Sequence, residues 1–545
     1  MKHIKKILIL LLSMTFILLC FTFYEPLETE AYSDDENAIS YVKLHHTSDY
    51  PITIYSETYQ SQINTQINKI INHHQYTFDQ PLLIENPYGT NTTGIYAYFE
   101  TDELLQASYT IHCDGYQDFS RTLNNNTLTG YTTKHEYLLI GSIPGKTNTI
   151  TLTLTNQAGK IVNTLSWSYR APELQGGNQY LTVDKTHQES ASLTNGLYTV
   201  LGNDVTEDSE DQAYMRLYDN DGVIRSEIPI ISYRSHRILF DQNVMYFSIS
   251  SSQIVGIGQT GYVSQFYNTG EYKLHHDYIF DDQHNLIVLA SKKNAKTSED
   301  KIIMIENGTG TVTELVDLID LLPDYYKTTS LPDGADDLDW MHINSLALVD
   351  HSNLIISSRE TSTIIKINQI YSSPTIDYMI GSDQFWKESG YDNLLLDQIS
   401  DFSLQAGQHC VTYVKDNSLN EGQYYLYLYN NNLAVSTTRA NYDWKNDPHY
   451  SLAYYNLKKG TSYYYKYLID ENNRTVELVQ SIPVDYSGYV SSVQELNGHI
   501  IIDSGMAMSW SEYSQDGTLL QKYTTTGGKF VYRVFKYDYL GYWFQ

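Results

Sequence analysis

From about residue 178 to the C-terminus the chain repeats one short unit: a strand, a turn of Asp, Asn and Gly, and an apolar strand of the Leu-Ile-Ile type. It reads Asp281-Asp-Gln-His-Asn-Leu-Ile-Val-Leu289, Asp350-His-Ser-Asn-Leu-Ile-Ile356 and Gln494-Glu-Leu-Asn-Gly-His-Ile-Ile-Ile502, with a looser copy at Ile469-Asp-Glu-Asn-Asn-Arg-Thr-Val-Glu477. Asp and Asn side chains bond their own backbone and tolerate the left-handed region, so they punctuate strands. Repeated four-stranded units of this kind predict a β-propeller. About 370 residues at ~60 per blade give six blades.

The pattern changes upstream. Short strands are predicted at 94–100, 108–113, 137–141, 147–155 and 161–169, separated by Gly- and Asn-rich turns. Such spacing predicts a small β-sandwich over 82–172, followed by a linker at Ala171-Pro-Glu-Leu-Gln-Gly-Gly177. Residues 32–81 are polar, with Ile63, Ile67, Ile70 and Ile71 at helical spacing inside 56–74, where packing or spacing is the expected role. Residues 1–31 combine a basic start, Met1-Lys-His-Ile-Lys-Lys6, with an apolar run to Phe23 and then acidic Glu25, Glu28 and Glu30. That order is expected of a signal peptide or an N-terminal membrane anchor, with the body exported to the cell surface or secreted.

Composition agrees with the pattern. The 545 residues include 51 Tyr, which favours strands, so the expected class is all-β: a six-bladed propeller preceded by a small sandwich domain. A formal charge of −29 repels phosphate backbones and argues against nucleic acid as a partner. Outside the leader only Cys113 and Cys410 remain, far apart in sequence and not expected to pair, and there is no Cys-x-x-Cys motif.

Chemistry concentrates around Asp339-Trp-Met-His-Ile-Asn-Ser345 and Leu354-Ile-Ile-Ser-Ser-Arg359. Pairing Val349 with Leu354 across the Asp350–Asn353 turn sets Asn344 opposite Arg359, with His342 two residues along on the same face. An imidazole, an amide and a guanidinium then share one place. His276 and His409 hold matching positions in the blades before and after His342. Equivalent positions on inner strands face a propeller's central channel, so the three histidines are expected to converge there. The chain has 17 histidines, and the alternative is that these merely line the channel. His275, His284, His351 and His499 read as turn or surface residues, and Cys410 as a buried thiol.

The Asp339-Trp-x-His342-x-Asn344-Ser345 and Ser-Ser-Arg359 pattern, with His276-Asp277 and Gln408-His409, resembles the bacterial arylsulfate sulfotransferase (arylsulfotransferase) family. The resemblance implies a sandwich before a six-bladed propeller, and transfer of a sulfuryl group from a phenolic sulfate ester to a phenol without a nucleotide donor. It also implies a ping-pong course in which His409 is the nucleophile and becomes a transient sulfohistidine. His276, His342 and Arg359 would bind the sulfuryl oxygens and assist proton transfer. Asn344 would bind substrate, and His275 could stand in for His276. No cofactor or metal is implied. A Cys pair that some family members carry as a disulfide shortly before the nucleophile is absent here.

Two other readings stand beside this one. Three channel histidines could hold Zn²⁺ with an open position, although the nearby Arg359 would repel a dication. A propeller rich in Tyr could also be an extracellular binding module for carbohydrate or peptide. The remaining partner expectations are N-terminal membrane anchoring and an oligomeric state left open, homodimer included.

Overall fold

The computed structural model describes residues 29–30, 41–42, 44, 51–177, 181–184, 193–204, 213–232, 234–526 and 528–545. The leader, and with it the predicted signal peptide or anchor, lies outside the described residues apart from the strand Thr29–Glu30. Among the described residues no helix is long and apolar enough to cross a membrane.

Six sheets form the propeller, each built on four antiparallel strands, with a fifth strand on the outer edge of blade V (Asp397–Gln398, parallel) and of blade VI. Blade I takes Leu197–Val200, Ala213–Tyr218 and Ile224–Ile230, and its innermost strand is the late Val534–Tyr537. Blades II, III and IV run Ile238–Asp241 to Val263–Asn268, Tyr272–Phe280 to Val312–Asp317, and Ile343–Asp350 to Thr375–Ile380. Blade V runs from His409–Val414 to Thr475–Val484, and blade VI from Ser492–Leu496 to Leu519–Thr525. The ring is closed twice. Val534–Tyr537 pairs with Leu197–Val200, and Leu181–Asp184 adds to the outer edge of blade VI. A buried ion pair ties the same seam. Lys536 Nζ donates to Glu512 Oε2 at 2.8 Å, to Thr194 O at 2.7 Å and to Asn220 Oδ1 at 2.8 Å. Burial lowers the Lys536 ammonium to about 8.

The apolar second strands are buried on both faces, as Leu354, Ile355 and Ile356 show. That explains why they read as continuous runs and not as alternation. Three long connections stand on the rim where the inner strands begin: 318–342, 381–408 and 431–461.

The upstream domain is a sandwich whose two sheets share one long strand. Predicted strands 94–100 and 108–113 are halves of one strand, Ile95–His112, whose register shifts between Glu100 and Leu105 as it passes from one sheet to the other. Helix Glu57–His73 is capped by Ser56 and buries Ile63, Ile67 and Ile70. It joins the domains: Gln60 Nε2 donates to Tyr88 O, while Gln60 Oε1 accepts from Val263 N of blade II, both at 3.0 Å. Cys113 and Cys410 are both free thiols.

Candidate active site

The inner strands of blades III, IV and V each break their period-two pattern at the same level. Register shifts fall between Leu274 and Tyr278, between Ile343 and Ser345, and between His409 and Thr412. Bulges re-aim side chains. Here they come with left-handed backbone at His276 (φ 52°), His342 (φ 46°) and Cys410 (φ 57°). Each such residue costs roughly 1–3 kcal/mol, a strain that clusters at functional sites.

These bulges bring the predicted histidines together near the axis. Ring centroids of His276 and His342 lie 5.0 Å apart, and those of His276 and His409 lie 6.5 Å apart. His275, expected at a turn or the surface, is instead buried in the bulged inner strand and packs against His276, with their Nδ1 atoms at 3.1 Å. Arg359 Nη1 is 3.3 Å from His342 Nε2.

The hairpin that carries Arg359 differs from the sequence expectation. Leu348, not Val349, faces Leu354, and Val349 and Asn344 fall where the register shifts. Arg359 therefore pairs with His342, its backbone N–H donating to His342 O at 3.2 Å. Asn344 turns to the blade seam: its amide donates to Gln408 O at 2.8 Å, and its Oδ1 has no partner among the described residues.

The neighbours of these residues account for the motif one position at a time. Trp340 is fully buried and donates to Asp300 Oδ2 at 2.9 Å, anchoring the loop before His342. Ser345 Oγ accepts from Val411 N at 2.9 Å, and Gln408 Nε2 donates to Ser357 Oγ, Ser358 O and Thr363 O, so blades IV and V are stitched beside His409. Asp277 takes both Arg237 Nε and Nη2, at 2.7 and 3.0 Å, and Arg533 Nη1 at 3.3 Å. Glu360, next to Arg359, accepts from Ser436, Thr437 and Thr438 and so fastens the 431–461 rim.

Electrostatics separate the histidines. Burial, reinforced by the Arg359 charge, holds His409 well below the usual histidine range, and burial with the His342 charge does the same to His276. Burial lowers His275 to about 3. His342 goes the other way. Burial lowers it too, but the Asp339 and Glu299 carboxylates outweigh that and raise it. Asp339 accepts from His342 Nδ1, and Glu299 Oε2 lies 3.0 Å from the same atom and 3.6 Å from His276 Nδ1. Burial raises Glu299 to about 7 against the pull of His342. The site thus holds neutral histidines beside one that readily carries a proton.

Four further residues belong to this arrangement and were not evident from sequence. Glu299 bridges His276 and His342 from a position with φ 52° in the connection before the strand Lys301–Ile305. Asn431 Oδ1 lies 2.7 Å from His409 Nδ1. The Arg234 guanidinium sits 4.0 Å from the Tyr532 ring centroid, and that ring is 6.4 Å from His276. Only Asn431 left a trace, in the triplet Asn430-Asn-Asn432, which has the look of a turn.

Among the described residues, two sets of donors are close enough to hold a metal: His275, His276 and Glu299, and Glu299, Asp339 and His342, each with ligand atoms within 4.8 Å of one another. The Arg359 guanidinium next to His342 opposes a dication there and favours an anion.

Among known proteins, the family profile described as Arylsulfotransferase (ASST) matches residues 182–536, and the Arylsulfotransferase Ig-like domain matches 82–171. No curated protein matches the sequence. Solved structures similar to this chain include a protein of unknown function from Bacteroides caccae, at 9% identity, covering 62% of this chain and 98% of its own, with a TM-score of 0.36. A putative 6-phosphogluconolactonase from Bacteroides fragilis has 10% identity, covers 79% of this chain and 98% of its own, and has a TM-score of 0.35. Apo AztD from Citrobacter koseri, at 8% identity, covers 79% and 98%, with a TM-score of 0.28. None of these structural likenesses bears on the chemistry.

Proposed function

The chain belongs to the arylsulfotransferase family and is a sulfotransferase of aryl sulfates and phenols; from that premise we propose that it works by ping-pong transfer through a sulfohistidine on His409, with no nucleotide donor. The observation that carries this reading is the packing of His409 and His342 against the same His276 ring, with the Arg359 guanidinium beside His342.

A sulfate monoester has three oxygens sharing one negative charge, and its transfer, like phosphoryl transfer, depends on positioning and electrostatics. A neutral imidazole attacks such an anion without repulsion and without a base. In the first half-reaction the His409 nitrogen forms a bond to sulfur as the aryl S–O bond breaks. The departing phenolate takes a proton from the His342 imidazolium. In the second, an acceptor phenol gives its proton to His342, its oxygen attacks sulfur, and the N–S electron pair returns to His409. Arg359 and His276 are the donors nearest the sulfuryl oxygens. Asn344 and His275 are proposed to complete the substrate pocket, and the Tyr532 ring to form part of its aromatic wall. Export to the cell surface or medium is proposed on the leader sequence alone.

Mass spectrometry of enzyme quenched with donor alone tests the scheme. A gain of one sulfuryl group on the peptide holding Gln408-His409 is the expected result. If no labelled enzyme forms and kinetics require both substrates together, direct transfer replaces the covalent route.

A pH profile tests the acid. Below its raised pKa His342 is an imidazolium and protonates the leaving phenolate; the benefit is lost as pH rises through that pKa. Glu299→Gln removes one of the two carboxylates that lift His342, so the alkaline limb should move to lower pH. The fall in rate across that limb should be larger for aryl sulfates with weakly acidic phenols than for nitrophenyl sulfates, whose phenolates leave without a proton. An unmoved limb in the variant would remove Glu299 from this role.

A further inference from the structure

We infer that Asn431 is a positioning residue that keeps a proton on His409 Nδ1 through both transfers and so makes Nε2 the reacting atom. The inference rests on His409 being the nucleophile, as proposed above.

His409 Nδ1 faces Asn431 Oδ1 at 2.7 Å and Gly407 O at 3.1 Å. A backbone carbonyl can only accept, so Nδ1 must carry the hydrogen. The amide orientation of Asn431 follows from the same logic. Its Nδ2 donates to Ser487 O at 2.7 Å and Val490 O at 3.0 Å, two more pure acceptors, which leaves Oδ1 as the atom facing the ring. Asn431 is fully buried, and Ser462 Oγ donates to its backbone carbonyl at 3.1 Å. The turn that offers the two carbonyls is itself held in rare conformations, with φ of 55° at Val490 and 89° at Ser491.

The partner's chemistry matters as much as its position. An amide oxygen is too weak a base to remove the Nδ1 proton. When Nε2 bonds to sulfur and the phenolate leaves, the intermediate is therefore an N-sulfonated imidazolium. When the acceptor oxygen attacks, the N–S pair returns to Nε2 and the leaving group is a neutral imidazole. Had the Nδ1 proton been lost, the second step would have to expel an imidazolide anion, a far poorer leaving group. His342 has the opposite arrangement, with its Nδ1 against the carboxylates of Asp339 and Glu299. One histidine thus keeps its proton while the other exchanges one.

The test is ¹⁵N NMR of histidine-labelled enzyme, with His409 assigned by difference against His409→Asn. The resting wild type should show His409 as a single neutral tautomer, Nδ1 protonated and Nε2 bare. Asn431→Leu leaves only the longer contact to Gly407 O at 3.1 Å, so it should admit the second tautomer and lower kcat roughly 10–100-fold, the range seen when a metal-bound histidine loses the partner that orients it, with the donor KM little changed. Asn431→Asp keeps an acceptor and should keep the tautomer, but its charge favours the imidazolium, so the acid limb of the rate profile should move to higher pH. A wild-type spectrum with the proton on Nε2 overturns the inference even if neither variant folds. So does an Asn431→Leu enzyme with unchanged spectrum and kcat. If the sulfuryl label appears on another residue while the tautomer is as expected, the covalent scheme fails and the hold of Asn431 on the ring survives.

Discussion

His409→Ala should abolish release of phenol from an aryl sulfate, with a loss on the order of 10⁴–10⁶-fold, as when an enzyme loses the nucleophile of a covalent mechanism. Of the buried histidines held below their usual range, His409 is the one on which the Arg359 charge acts, which sets it beside the guanidinium. His342 is engaged with Asp339 and Glu299 through Nδ1 and faces Arg359 through Nε2. His276 and His275 face each other through Nδ1. The measurement is phenol absorbance with donor alone and with donor plus acceptor. Both should vanish together, because the first half-reaction precedes any use of the acceptor. Imidazole added to the medium should restore part of the rate if it enters the space left by the ring. A variant that releases phenol at more than a few per cent of the native rate, in a protein with an unchanged melting profile, would take the nucleophile's role away from His409.

How much of this was legible in the sequence depends on what kind of signal each residue leaves. The repeat of turn and apolar strand reported the propeller because second strands buried on both faces must be apolar throughout. The histidines were legible because equivalent positions on successive inner strands meet at the axis whatever the details of each blade. The hairpin register was not. Counting by twos across Asp350–Asn353 assumes an unbroken pleat, whereas the pairing slips at Asn344 and again near Val349. The guanidinium still reaches His342, because a bulge displaces the partner and not the strand. Glu299 had no pattern to give it away. It enters from an irregular connection with a positive φ, where neither period applies. Asn431 is hidden in a run of three asparagines whose outer members do ordinary turn work, Asn430 Oδ1 accepting from Ala406 N and Asn432 N. In the sandwich one strand was read as two, since a strand that turns a corner between two sheets changes its burial pattern midway, and the short strands Leu82–Glu85 and Phe119–Thr122 went unread.

Arg359→Ala should leave a folded enzyme that retains its nucleophile yet loses roughly 10²–10³-fold in kcat, the scale for removing one donor aimed at charge in a transition state. The guanidinium is permanently charged and only partly exposed, and it stands beside His342 Nε2 where a sulfuryl oxygen would bridge the two. Loss of rate should exceed loss of affinity, because the bond between Arg359 and the sulfuryl oxygens strengthens as the aryl oxygen departs. Arg359→Lys keeps a charge but not the fork, and should fall between the variant and the wild type. The pH profile supplies an independent check. Arg359 lowers both His409 and His342, so its removal should move the acid limb, set by protonation of the nucleophile, and the alkaline limb, set by the acid, to higher pH. The acid limb should remain well below neutrality, since burial is the larger cause at His409. If Arg359→Ala raises KM alone and leaves kcat intact, the guanidinium binds the ground state and transition state equally, and the charge developing in the transfer must be met by His276 and His342 without it.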